Sequence, residues 1–122
     1  MSFNDTRSAK VLHGIGMHPR YKGYAYLNCI LRHICENPRS LYNLRTHVYP
    51  NVMQEFGCSM ASIDKNIHFA VRRTFESGNA VLLHKMFSAH NNGGWLPTNT
   101  EFIAVIAEGL LYDIGMETGR NM

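Results

Sequence analysis

Residues 57–75, GCSMASIDKNIHFAVRRTF, decide the fold. A Gly-Cys-Ser break opens the stretch, and Ser59 is placed to cap a helix running from Met60 to about Ser77, because a serine hydroxyl accepts from a free backbone N–H of the first turn. Ile63, Ile67, Ala70, Val71 and Thr74 recur at three- and four-residue spacing. That narrow stripe marks a helix with one buried face. At about 100° per residue, Lys65 and Arg72 fall opposite it, with Ala61, Ser62, Phe69 and Glu76 beside them and Asp64, Asn66 and His68 on the shoulders. Either this second face meets only water or it reads a polyanion.

Upstream, Pro50 suits a first helical position, and Val52, Met53 and Phe56 give a short helix with an inner face that Gly57 ends. A short helix, a three-residue turn and a longer amphipathic helix make the outline of a helix-turn-helix over about 50–77. The outline alone is a weak signal, because many helical domains contain such a corner. Farther out, the spacing predicts helices over Asp5–Ile15 and Tyr21–Glu36, a turn or short helix over Ser40–Val48, and a short helix over Ala80–Phe87. Asn37-Pro38 and Gly78-Asn79 punctuate them. Thr98 and Glu101 form a T-x-x-E capping box ahead of Phe102, Ile103, Ile106, Leu110, Leu111 and Ile114, which marks the last helix. Strand patterns are scarce, so the expectation is an all-α domain of about six helices spanning 1–122.

Composition narrows the function. The net charge of +3 is modest, but its distribution is uneven: residues 1–39 carry six Lys or Arg against two acids, and residues 78–122 carry two against four. The positive field lies in the first two thirds and orients a polyanion there. Neither a signal peptide nor a membrane span is supported, since the run Phe102–Leu111 is interrupted by Glu108. A cytoplasmic, nucleoid-associated protein is expected. Cys29, Cys35 and Cys58 are odd in number and form no CxxC pair, so they read as reduced packing thiols. Cys29 and His33 stand four apart, but no second paired motif completes a metal site. Seven histidines find no nucleophile or carboxylate at a recognisable spacing. The expectation is a non-enzyme with no cofactor and no metal.

On the outer face of residues 60–77, residue chemistry assigns candidate roles. Lys65 can donate to guanine O6 and N7, Asp64 can accept from cytosine N4, and Asn66 can pair with adenine. Phe69 fits a thymine methyl, although an exposed aromatic more often packs against a neighbour. Arg72 and Arg73 lie farther along, where phosphate contact is expected.

Several motifs reach beyond this outline: His13-x-Ile15-Gly16, Lys22-Gly23-Tyr24-x-Tyr26-Leu27, Tyr49-Pro50, Ile67 with Ala70, Gly78-Asn79, and the run PTNTEFIA at 97–104. By these residues the chain resembles, over roughly 11–112, the C-terminal effector domain of the sporulation response regulator Spo0A. The resemblance implies a six-helix fold whose helix-turn-helix binds double-stranded DNA, usually as tandem copies on adjacent sites, so that a homodimer on DNA is expected. It adds Ser62 and His68 to the base-contact candidates Asp64, Lys65 and Phe69, and Ser59 to the phosphate candidates Arg72 and Arg73. It further implies that the surface of Ala80, Val81, His84 and Lys85 meets an RNA polymerase sigma factor.

The departures are chemical. The family carries Arg, Glu and Arg where this chain has Ser62, Asp64 and Lys65, and a further Arg at His68. The acid is kept at Asp64, but a fork-shaped guanidinium is lost at Ser62, Lys65 and His68, and Lys offers a point charge in place of a bidentate plane. The family's basic loop before PTN is replaced by Asn91-Asn92-Gly93-Gly94-Trp95-Leu96. The phosphoacceptor receiver domain has no counterpart in these residues, which is expected of a stand-alone relative or an excised domain. Two functions follow: a sequence-specific transcriptional regulator, or a non-catalytic interaction protein with degenerate DNA reading that modulates another regulator.

Overall fold

Gly57 turns left-handed, with φ 62° and ψ 44°, and so ends one helix two residues before Ser59 caps the next. A glycine takes this conformation without the Cβ clash that other residues meet. The Cys58 backbone N–H closes the turn on the carbonyl of Met53 at 3.2 Å. The computed structural model describes residues 6–88 and 96–112, and among these it contains six α-helices and no strand. They are α1 (Arg7–Gly14), α2 (Lys22–Glu36), α3 (Tyr49–Phe56), α4 (Met60–Ser77), α5 (Ala80–Phe87) and α6 (Asn99–Tyr112). The expected all-α architecture is the observed one. Asp5, assigned to the first helix, and Ile114, assigned to the last, lie outside the described residues, as do Asn91–Trp95.

Between α2 and α3 the chain winds through a 3-10 segment, Pro38–Asn43, and a π-helical segment, Leu44–Val48. Pro38 starts the first of these at a position where a missing N–H costs nothing, and Ser40 Oγ donates back to the Asn37 carbonyl at 2.7 Å. The second runs directly into Tyr49, one residue ahead of the start expected at Pro50.

α2 and α4 form the centre. Gly23, Tyr26, Leu27, Ile30, Leu31 and Ile34 of α2 are buried, as are Ile63, Ile67, Ala70, Val71 and Thr74 of α4, the stripe read from the sequence. At Gly23 the two helices approach so closely that a Cβ would overlap the Asn66 carbonyl and lie 2.8 Å from Ala70 Cβ. α6 contributes Phe102, Ile103 and Ile106, fully buried. The Phe102 ring stacks on Phe87 of α5, with centroids 5.4 Å apart and planes within 7°. Phe56 departs from its expected inner position: it is 39% exposed and meets the Tyr26 ring edge-on at 5.2 Å, because the helix ends at the next residue and carries its last side chain past the core.

Two motifs far apart in sequence lock the two ends of this frame. Gly16 has φ 92°, and a Cβ there would lie 2.7 Å from Gly78 Cα. The Asn79 N–H donates to the Ile15 carbonyl at 2.9 Å, while the Asn79 side-chain oxygen accepts from the Leu82 N–H at 3.1 Å and caps α5. The H-x-I-G and G-N motifs are therefore one joint between α1 and the α4–α5 corner.

Candidate nucleic-acid interface

The N-terminus of α4 is fixed by Ser59, whose Oγ accepts from the Ser62 N–H at 3.1 Å. An N-cap of this kind contributes about 1 kcal/mol. The middle of the helix is backed by Gly23. Its outer face is left to solvent: Ala61, Lys65, His68, Phe69, Arg72 and Arg73 are exposed, and Ser62, Asp64 and Asn66 are half-buried.

The candidates do not all point outward as free groups. Asn66 turns its amide back along its own helix, donating to the Ser62 carbonyl at 2.8 Å and to Ser62 Oγ at 3.2 Å. Asp64 is occupied by a partner that the sequence reading missed: Arg45, in the π-helical segment, donates from Nη1 to Oδ1 at 3.3 Å and from Nη2 to Oδ2 at 2.7 Å. The same guanidinium lies over the Tyr49 ring, 5.4 Å from its centroid. No local spacing rule links residues 45 and 64. The only signal in the sequence was a carboxylate among the cations and donors of the outer face.

Phe69 is half exposed, and its ring meets Tyr21 edge-on at 5.5 Å; Tyr21 in turn meets His18 at 5.8 Å. This aromatic row places the loop before α2 beside the outer face of α4 and sets exposed Arg20 and Lys22 near it in sequence. Arg72 and Arg73 both reach Glu76 at 3.5 Å. Pairs this exposed contribute about 0–1 kcal/mol, so both cations stay available to a stronger anion.

The PTN run closes the other side. Thr98 and Glu101 form the expected capping box, with the Glu101 N–H donating to Thr98 Oγ1 at 3.1 Å and the Thr98 N–H donating to Glu101 Oε1 at 2.9 Å. Asn99 then donates from Nδ2 to the Asp64 backbone carbonyl at 3.0 Å, tying α6 to α4. Its Oδ1 is buried without a partner among the described residues. A shallow groove of about 400 Å³ runs between the two helices, lined by Arg45, Asp64, His68 and the segment Leu96–Thr100.

The arrangement is a capped, rigidly backed helix presenting cations and donors on its open face, flanked by a groove that carries Arg45 and His68. A family model described as sporulation initiation factor Spo0A C terminal matches residues 8–110 of the 122. The chain belongs to the Spo0A C-terminal family. Spo0A C-terminal domains are helical DNA-binding regulators of sporulation, and the motifs shared with them are here the joints of the frame: H-x-I-G with G-N, K-G-Y beneath α4, and P-T-N against Asp64. Among the described residues no helix is long and apolar enough to cross a membrane.

The exposed positions of α5 are those the Spo0A resemblance singled out. Ala80, Val81, His84 and Lys85 all face solvent, with Val81 81% exposed, while Leu83, Met86 and Phe87 are buried.

Proposed function

We propose that this chain is a sequence-specific transcriptional regulator related to sporulation control that lays α4 in the major groove of duplex DNA. One observation carries the reading. α4 is capped at Ser59 and seated on Gly23, and these supports leave Ser62, Lys65, His68 and Phe69 toward its open side. A reading helix needs that rigidity, since base contacts fail when side chains are misplaced by a fraction of a hydrogen-bond length.

Lys65, Ser62, His68 and Phe69 are the base-edge candidates, while Asp64, also expected there, is held by Arg45; Ser59, Arg72 and Arg73 take phosphates. With a net charge of +3, one copy holds DNA weakly, which favours tandem copies forming a homodimer on adjacent sites. The resemblance to Spo0A assigns a contact with the sigma factor of RNA polymerase to Ala80, Val81, His84 and Lys85, and the exposure of all four leaves them open to it. The working location is the nucleoid. The half-exposed Phe69 favours a second reading, an interaction protein that pairs with another regulator through this face.

Selection of bound fragments from a random duplex pool tests the proposal. The expected result is enrichment of one short asymmetric motif. Recovery of the input pool without enrichment would favour the interaction protein.

A further inference from the structure

Asp64 grips only one edge of the Arg45 guanidinium. A guanidinium carries five N–H donors in a planar fork with two parallel-donor edges. The edge made by Nη1 and Nη2 is spent on the Asp64 carboxylate, at 3.3 and 2.7 Å. The other edge, Nε–H with the second hydrogen of Nη2, donates to no described residue. The plane is steadied a second time by the Tyr49 ring, 5.4 Å from Cζ, while the side chain remains 58% exposed. The group also lines the groove beside α4, together with His68.

Such a pair is poorly explained as a stability device. Exposed ion pairs contribute about 0–1 kcal/mol, and a carboxylate on a DNA-facing helix repels phosphates. Its geometry makes sense as a mount: it fixes a fork-shaped donor where α4 itself offers Ser62, Lys65 and His68 but no arginine in its first two turns. We propose that Arg45, held by Asp64 and Tyr49, presents its second N–H fork to duplex DNA and takes a paired acceptor edge there. That edge is either guanine O6 with N7 or two oxygens of one phosphate. Asp64 is then a positioning residue, and the reading surface includes a side chain from outside the helix-turn-helix.

The inference rests on the DNA-binding reading above and fails separately from it. The test is titration of the full chain and its Arg45→Ala, Arg45→Lys and Asp64→Asn variants against the preferred duplex and single-mismatch duplexes at several salt concentrations. Circular dichroism confirms folding. Arg45→Ala is expected to weaken binding about tenfold or more, and Arg45→Lys to recover little of it, because an ammonium lacks the fork. Loss confined to one G·C pair identifies the base edge; equal loss on all duplexes with a salt slope lower by about one unit identifies the phosphate. Asp64→Asn removes a negative charge and yet is expected to weaken binding severalfold, which simple repulsion does not produce. Unchanged binding by folded Arg45→Ala, or tighter binding by Asp64→Asn, overturns the inference while the wild type still binds. Absence of duplex binding by the wild type overturns both readings.

Discussion

Gly23 of α2 lies against the backbone carbonyl of Asn66 in α4, with no room between them for a methyl group. The contact sets how deep α4 sits and therefore how far its outer face projects. Gly23→Ala must push on backbone, not on a flexible side chain, so overpacking should cost about 1–3 kcal/mol. Chemical denaturation measures it. Gly14→Ala, where nothing lies within 4 Å of the added carbon, is the control and should change stability by less than half as much.

Ile67 sits at the middle of the α4 stripe and is fully buried. Ile67→Ala should destabilise by about 2–5 kcal/mol through lost burial and the cavity left behind. Phe102→Ala should cost a similar amount, since it removes the ring stacked on Phe87. Equal melting temperatures for either variant and the wild type would contradict the packing described.

Burial, then the neighbouring Glu55 charge, pushes the Cys29 thiol from 9.0 up to about 12. The folded state therefore keeps a proton that the unfolded chain releases above pH 9. Stability is full below that value and declines as the pH rises through the window toward 12. The slope approaches about 1.4 kcal/mol per pH unit for one group. Burial also raises Tyr26 and Tyr49 from 10.0, so the thiol acts first, from pH 9 upward, and the comparison with Cys29→Ser separates it from the tyrosines. Denaturation midpoints across that window should fall for the wild type and stay flatter for Cys29→Ser.

The helix inventory was legible because each signal was local. The α4 stripe, the Ser59 cap, the Gly57 break and the Thr98–Glu101 box all act within a few residues, and each appears in the structure as read. What binds the elements together was not legible from spacing. Gly16 and Gly78 meet although they stand 62 positions apart, and their closeness shows only as two motifs in the family resemblance. Arg45 on Asp64 was missed for the same reason, and the resemblance could not supply it. Asn66 looked outward by helical angle alone, yet its short amide finds the Ser62 carbonyl one turn back, a competition that an angular projection omits.

Asn99 joins the PTN run to α4 through the Asp64 carbonyl at 3.0 Å. Asn99→Ala removes the second hydrogen bond to that carbonyl, which still accepts within α4, and should cost about 0.5–1.5 kcal/mol in stability. It should also loosen the groove that carries Arg45 and weaken duplex binding in the same variant. A stability loss with unchanged DNA affinity would separate α6 from the interface.

If the open face of α4 reads bases, Lys65 must carry part of the selectivity. Lys65 is exposed on the N-terminal half of the helix, and Arg72 lies about two turns later beside Glu76. The measurement is titration of wild type, Lys65→Ala and Arg72→Ala against the preferred duplex and its single-mismatch variants over a range of salt. Lys65→Ala should cost about 1–3 kcal/mol on the preferred site and relax discrimination at one base pair. Arg72→Ala should weaken every duplex alike and lower the salt slope by about one unit. A wild type without preference among duplexes, unaltered by either substitution, would show that α4 does not read DNA.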